Sequence, residues 1–532
     1  MTDLILPFFA IIPVIIAVFL FIFSTSRSAR IVAILFQLCF TLLTVGLLLY
    51  VRDGPLIVHV GQYVGVLGII LRADSFVAVF ILLVSIIFLA VSFYSLHEIN
   101  SRLYWFLLFI LEGTLIGVFL TQDLFNVFVL VEVSTIIVTV LLMFYRQRRV
   151  MYRGMVFLML NVIAMLFYLF GLAFFYQLAG TFDMYNAMDM MPYIDRRQLM
   201  LPYALIMTGL AFKCAIIPMF SFTPKTVLYS VAPSAVAAVL SGVQIKTNVY
   251  LFLRFQELFQ QVSAYDLFLV MAIVAGLTGV VMAISQTNIK MILAYHTISQ
   301  VGLIMIGLSS GSHYSFTGGL YHIVSHGIFK SALFLTAGVI LHSYGTLNVY
   351  QIRGVLKRHP MVGAITAAAI LGITGAPFFI GSISKYFITS DVPWWVNWSV
   401  ILISLGTLIS FIKYGSMLFG TSEMTGDWRI PDKWRLFSTL PLGVLCLVGG
   451  IFGQQIINFL FEADVVINRA DYLQKAVIFF VSAAVGWLIY KYVVKGNIHL
   501  KRLGSIEFSF NTVCASLVGF FVIVLGFVGW VG

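Results

Sequence analysis

Apolar runs of about 20 residues, the length that crosses the hydrocarbon core of a bilayer, recur along this chain from residue 4 to residue 531. Lipid cannot satisfy backbone N–H and C=O groups, so each such run must fold as a helix. About 16 runs can be counted on this criterion. Only 10% of the residues are charged and 61% are hydrophobic, with a mean hydropathy of +1.06, whereas soluble domains carry about 25% charged residues. The expected fold class is therefore an all-α polytopic membrane protein. No hydrophilic stretch is long enough for a soluble domain, the longest polar interval being the loop near 179–199.

The net charge of +11 does not point to nucleic acid, because the basic residues cluster at the ends of alternate runs. Arg27 and Arg30 follow the first span, Arg146, Arg148, Arg149 and Arg153 the fifth, Arg353, Lys357 and Arg358 the eleventh, and Lys491, Lys495, Lys501 and Arg502 the fifteenth. Asp53, Asp123, Asp183, Asp189 and Asp391 fall on the other side. The positive-inside rule then makes loops after odd-numbered spans cytoplasmic and sets the amino terminus outside a cytoplasmic membrane. The opening MTDLILPFFAIIP has an acid where a secretory signal is basic, so the first helix is expected to stay. Cys39, Cys214, Cys446 and Cys514 are scattered in apolar segments and form no CxxC pattern. They read as small core residues, and no metal or cofactor site is expected.

Alternation in IVHVGQYVG suggests a short hairpin within 52–73. Two spans are interrupted. The seventh, near 202–224, contains Lys213, Pro218 and Pro224, and the twelfth, near 362–390, contains ITGAPFFIGSISK with Gly375, Pro377, Gly381 and Lys385. Proline removes a helix hydrogen bond and glycine weakens the helix, so both should break near mid-membrane. Breaks in matching places suggest two inverted five-helix repeats, about 103–254 and about 265–420, each with its broken helix fourth in order. They would lie between N-terminal helices in 1–102 and C-terminal helices in 435–532.

Ionisable residues sit deep in these runs. Glu132 lies in DLFNVFVLVEVSTIIVTVLL, Lys213 in LIMTGLAFKCAIIPMF, Lys246 in AVLSGVQIKTNVYLFL, and His322, His326 and Lys330 in YHIVSHGIFKSALFL. A central Asp, Lys or Arg costs about 2.5–3.5 kcal/mol on insertion scales, so the set adds on the order of 10 kcal/mol unless paired or hydrated. One Glu132–Lys213 ion pair could be purely architectural. The central lysines, with Lys385 included, outnumber the central acids even when Glu112 is counted. An amine held away from water can lose its proton and regain it when its neighbour changes, which makes these lysines relay candidates. His322, His326 and Lys330 are spaced at four and form one helix face, and imidazole both accepts and donates near neutral pH. His296 lies near a helix start beside Lys290, while His97, His342 and His359 lie toward loops. Ser325, Ser299 and Thr247 are candidates to hold water between the charges.

DLFNVFVLVEV, LAFKCAIIPMF, VQIKTNVYLFLR, MILAYHTISQVGL, HIVSHGIFKSALFLTAG and GAPFFIGSISKYF resemble, in that order, the signature helices of the antiporter-like subunits. These are shared by Mrp-type cation/proton antiporters, respiratory complex I and membrane-bound hydrogenases. The resemblance covers about residues 60–420, and FLTQDLFNVF is similar to the D-subunit branch of the Mrp complex. It implies about 14 core transmembrane helices, with Glu132 and Lys213 as a coupling pair and Lys246, His322, His326, Lys330 and Lys385 along a hydrated axis. Glu112 resembles an additional fourth-helix acid of some branches. Two departures stand out: FTPKTV, with Lys225, replaces a WLP-type turn after the seventh helix, and two runs, about 474–494 and 509–531, extend the carboxyl end. Those two runs are candidates to dock a neighbouring subunit.

The expected function is proton translocation within a multisubunit sodium/proton antiporter, with other membrane subunits as partners and protons, with or without sodium, as cargo. No carboxylate cluster of the kind that binds a hard cation is evident, which favours protons. A redox-driven pump module of complex I or a hydrogenase is the second reading, any redox cofactor then lying in partner subunits. A structural membrane anchor is the third.

Overall fold

The computed structural model describes residues 5–23, 26–60, 68–99, 101–216, 231–421, 432–506 and 508–531. Fourteen helices among them are long and apolar enough to cross a membrane. They are α1 (Ile5–Phe23), α2 (Ser26–Tyr50), α3 (Ser75–Ser95), α4 (Arg102–Leu120), α5 (Leu124–Leu142), α6 (Arg148–Ala179), α8 (Ser234–Leu258), α9 (Tyr265–Ser285), α10 (Ile289–Ser309), α11 (His313–Tyr344), α13 (Trp394–Gly415), α14 (Lys433–Ile451), α15 (Arg469–Ile489) and α16 (Phe510–Val531). The interrupted spans complete the series. They are α7 (Arg196–Lys213) and α12, which consists of α12a (Pro360–Thr374) and α12b (Ile380–Ile388). With each span crossing in turn, the basic clusters gather at one face of the bundle and Asp53, Asp123, Asp183 and Asp391 at the other.

Both interruptions are built from backbone that a helix cannot continue. In α12 the chain turns at Gly375 (φ 82°) and Phe378 (φ 69°), and the carbonyls left free at Ile373 and Thr374 accept from Lys385 Nζ at 3.0 and 2.9 Å. α7 ends at Lys213, and Ala215 follows with φ 58°. The rest of that interruption, with Pro218, Pro224 and Lys225, lies outside the described residues.

Three helices that carry buried charge or imidazole, α8, α10 and α11, are the innermost of these spans. The middle of α11 is buried throughout and those of α8 and α10 nearly so, while α15 is largely exposed. Polar residues at membrane depth are tolerated where they face protein, which explains why the least apolar spans occupy the centre. α10 packs between α9 and α11, α6 lies against α7, and α11 against α12b. Close packing of α9 on α10 relies on Gly302, where an added Cβ would lie 2.7 Å from the Ala272 carbonyl. The two additional helices pack on this chain itself, α15 against α13 and α16 against α7 and α6.

Several features recur at opposite faces. α6 and α11 both span 32 residues and both end at a left-handed glycine, Gly180 and Gly345, each with φ 68°. An antiparallel bridge joins Asp123 to Asp183 at one face and Asn288 to Asn348 at the other. Asp123 and Asn288 also cap α5 and α10 through their side chains.

The expected hairpin is present as β1 (Leu56–Val60) and β2 (Ile69–Ala73), antiparallel with Leu56 opposite Ala73 and Val60 opposite Ile69. Residues 61–67 between them lie outside the described residues. The strand β2 lies over the turn between α4 and α5, where the Gln122 N–H donates to the Ile70 carbonyl at 2.9 Å.

Candidate functional site

Glu132 of α5 and Lys213 of α7 meet. Lys213 Nζ lies 3.3 Å from Glu132 Oε1 and donates to Thr135 Oγ1 at 2.8 Å. Thr135 lies one turn from Glu132 on α5, so the ammonium is shared between a charged and a neutral acceptor. Lys213 is almost fully buried, whereas the Glu132 side chain is 17% exposed, so the acid is the more accessible partner.

Lys246 follows an irregularity in α8. Residues Leu240–Gln244 form a π-turn, one of the bulges that recur at functional sites. The turn brings the Ser241 carbonyl to Lys246 Nζ, which donates to it. Ser241 Oγ shares a hydrogen bond with Thr297 Oγ1 of α10 at 2.8 Å, and Thr297 Oγ1 donates to the Leu293 carbonyl at 3.2 Å. That same carbonyl accepts from Lys330 Nζ of α11. Lys246 and Lys330 are thus linked indirectly across three helices, through the carbonyl and the separate hydroxyl of Ser241, the Thr297 hydroxyl and the Leu293 carbonyl that accepts from both Thr297 and Lys330. On the side toward the coupling pair, Gln244 Nε2 donates to Ser134 Oγ of α5 at 3.1 Å, and Asn248 Nδ2 reaches the Lys213 carbonyl at 3.5 Å.

The line continues through α11. His326 lies one turn from both His322 and Lys330 on α11, and its ring centroid is 6.4 Å from that of His322. His322 Nε2 bonds Gln300 Oε1 at 3.0 Å, and its Nδ1 bonds Ser384 Oγ at 2.8 Å. Ser384 adjoins Lys385, which caps the broken end of α12a. All seven residues singled out in the sequence, Glu132, Lys213, Lys246, His322, His326, Lys330 and Lys385, therefore lie on one interior line.

The middle of that line is under-bonded. Both ring nitrogens of His326 and of His296, together with Ser299 Oγ and Gln300 Nε2, are buried without a hydrogen-bond partner among the described residues. Buried polar groups are ordinarily paired, so such a cluster suits a place where water or protons pass. His296, whose place near a helix start left its role open, belongs to this cluster.

Several site residues were not evident from sequence. Thr135, Ser241, Gln244, Thr297, Gln300 and Ser384 make the connections, while none of the three hydroxyls singled out in the sequence does: Ser299 Oγ has no partner among the described residues. Ser325 and Thr247 donate to carbonyls of their own helices, Tyr321 and Val243. Lys413 of α13 is also buried, and its Nζ donates to the carbonyls of Ala283, Ile284 and Gln286 at 3.3, 2.5 and 2.6 Å, closing the end of α9. Its position near the end of an apolar run was the available signal. Glu112 bonds Gln37 Nε2 of α2 at 2.7 Å. The loop histidine His97 pairs with Asp432 at 2.6 Å.

The chain is similar to known proteins in sequence and in fold. The sequence model of the NADH:quinone oxidoreductase/Mrp antiporter transmembrane family matches residues 121–410, the stretch holding Glu132 through Lys385. The chain is 28% identical over 484 residues to the D subunit of the Na(+)/H(+) antiporter of Alkalihalophilus pseudofirmus, covering 87% of this chain and 97% of the relative. It is 27% identical over 438 residues to the N subunit of the NADH-quinone oxidoreductase of Desulforudis audaxviator, covering 77% and 87%. In fold it is similar to a chain of the Mrp complex from Dietzia sp., with a TM-score of 0.79 at 23% identity, covering 89% of this chain and 99% of that one. A chain of the membrane-bound sulfane sulfur reductase, an archaeal respiratory membrane complex, superposes with a TM-score of 0.79 at 22% identity, covering 90% and 99%. The chain belongs to the NADH:quinone oxidoreductase/Mrp antiporter transmembrane family.

Proposed function

We propose that this chain is the proton-translocating subunit of a multisubunit sodium/proton antiporter in a cell membrane, working beside other membrane subunits. The observation that carries the reading is the interior line from the Glu132–Lys213 pair through Lys246, Lys330, His326 and His322 to Lys385. The likeness to the D subunit of a Na(+)/H(+) antiporter supports the substrate and the partners.

The mechanism is electrostatic. While Glu132 lies against Lys213, the lysine keeps its proton; when the pair opens, the charge on Lys213 is left unbalanced and favours proton transfer toward Lys246. Lys246 then passes the proton toward Lys330 while the Ser241–Thr297 contacts fix the spacing of the two lysines, the histidines carry it onward, and Lys385 exchanges it at the far end. The amino terminus faces outward, a reading supported by the basic clusters on the opposite face. The features recurring between α4–α8 and α9–α13 support two inverted five-helix units, about 103–254 and about 265–420, between N-terminal helices in 1–102 and C-terminal helices in 435–532.

A redox-driven pump subunit is the second reading, favoured by the likeness to the N subunit of an NADH-quinone oxidoreductase. Cation-driven proton movement in vesicles carrying the purified complex, without any redox substrate, supports the antiporter; movement that needs an electron donor and acceptor supports the pump.

A further inference from the structure

α2 and α14 both pack on α3, and between them lies a groove of about 320 Å³ floored by Phe93 and Leu96 at the end of α3. Its mouth is basic. Arg27, in the first turn of α2, is exposed and has neither an ion pair nor a hydrogen bond among the described residues. Arg30 follows one turn later and lines the same wall, where its Nη1 donates to the Leu96 carbonyl at 3.0 Å. The acids beside the mouth are already engaged: Asp432 lies 2.6 Å from His97, and Glu98 lies 4.0 Å from Arg435. Lys433, exposed at the start of α14, adds another cation. Positive charge is therefore left over at this end.

Away from the mouth the groove turns apolar. Ile31, Ile34, Leu35 and Leu38 recur at three and four residues and form one stripe along α2. Of these, Ile31, Leu35 and Leu38 are exposed. Phe93 stacks on Trp434 with ring centroids 6.1 Å apart and meets Phe437 edge-on at 5.5 Å. Phe437 and Leu440 continue the α14 wall and are also exposed. Trp434 stands near the start of α14, the level at which tryptophan marks the boundary between headgroups and hydrocarbon.

We propose that this groove is a binding site for an anionic phospholipid, with the phosphate on Arg27 and Arg30 and one acyl chain along the α2 stripe. Guanidinium groups pair with phosphate oxygens through two parallel, charge-assisted hydrogen bonds. A zwitterionic lipid brings its own ammonium to a mouth that already carries surplus positive charge, so it binds less well. A soluble anion would use only the mouth, and an apolar helix of a partner subunit only the trough.

The test places the whole complex in nanodiscs of phosphatidylcholine that contain a minor share of either diazirine-bearing phosphatidylglycerol or diazirine-bearing phosphatidylcholine. Photo-adducts are mapped by peptide mass spectrometry. Adducts from phosphatidylglycerol on residues 31–38 and 434–440 are expected to exceed those from phosphatidylcholine. Arg27→Gln is expected to lower the phosphatidylglycerol adducts roughly 5-fold, the effect of one basic residue near a membrane surface, and to leave the phosphatidylcholine adducts unchanged. Arg27→Lys is expected to retain most of them, and excess inorganic phosphate to change nothing. Equal labelling by the two lipids, or phosphatidylglycerol labelling indifferent to Arg27→Gln, reduces the groove to ordinary lipid contact and overturns the site. Absence of adducts from both lipids means that a partner subunit covers the groove, and loss of the phosphatidylglycerol adducts in phosphate means a soluble-anion site; either result overturns the lipid assignment. Should Arg27→Gln fail to assemble, the comparison of the two lipids on the wild type decides.

Discussion

Lys246 of α8 and Lys330 of α11 are held to one track by two hydroxyls, Ser241 Oγ and Thr297 Oγ1, which lie 2.8 Å apart. The track ends on the Leu293 carbonyl, where Lys330 and Thr297 meet. The two amines are thereby kept at a fixed spacing with acceptors between them.

Thr297→Val keeps the shape of the side chain and removes the hydroxyl. One internal hydrogen bond contributes about 0.5–1.5 kcal/mol, so the proton flux is expected to fall roughly 2- to 10-fold with assembly unchanged. Flux measured with a pH-sensitive dye in vesicles checks this, and a wild-type rate would remove the track from the relay.

His326 separates stability from function. Its two ring nitrogens are buried without partners among the described residues, so replacing the ring removes no hydrogen bond to the protein. His326→Leu is therefore expected to unfold at the same temperature as wild type or higher while losing transport. A lower unfolding temperature together with retained transport would make His326 a packing residue.

How much of this was legible in the sequence differs from fold to site. Spans and the α12 interruption were readable because lipid enforces length and because Gly375 and Pro377 cannot sit quietly within a helix. The seven charged and imidazole residues were readable because charge at membrane depth is costly and so carries information. The connecting residues were not. A threonine such as Thr297 or a serine such as Ser241 costs little inside a helix and usually bonds its own backbone, as Ser325 does, so sequence alone does not distinguish a bridging hydroxyl from an idle one. The partner of Glu112 was hidden for a related reason: Gln37 lies in an ordinary apolar run, and only packing of α2 brings it within 2.7 Å.

The turn between α3 and α4 carries a pH dependence. Burial raises the Glu98 carboxyl above its usual value of 4.5, against the opposing pull of Arg435, 4.0 Å away, and Lys290. An acid that binds its proton more tightly when folded contributes stability that is complete below its unfolded pKa and is lost as pH rises through the folded one. The unfolding temperature of the wild type is thus expected to fall, as pH rises from about 4.5, more steeply than that of Glu98→Gln. Parallel slopes in a thermal unfolding series of the two proteins would contradict it.

The α12 interruption has a steric test. An added Cβ at Gly381 would collide with the Gly372 carbonyl across the break. Overpacking of this kind costs about 1–3 kcal/mol, so Gly381→Ala is expected to lower the yield and the unfolding temperature of the complex. Gly526→Ala, where nothing lies within 4 Å of the added carbon, serves as the control and is expected to match wild type.

The central claim is that the Glu132–Lys213 pair couples proton movement to cation gradients, and its most direct test is sodium-driven proton movement in everted vesicles carrying the whole complex. Wild type is compared with Glu132→Gln and Lys213→Ala, with assembly verified by copurification. The account predicts that both variants assemble and lose transport. Transport at the wild-type rate in assembled variants would contradict it and move the ion path to a partner subunit.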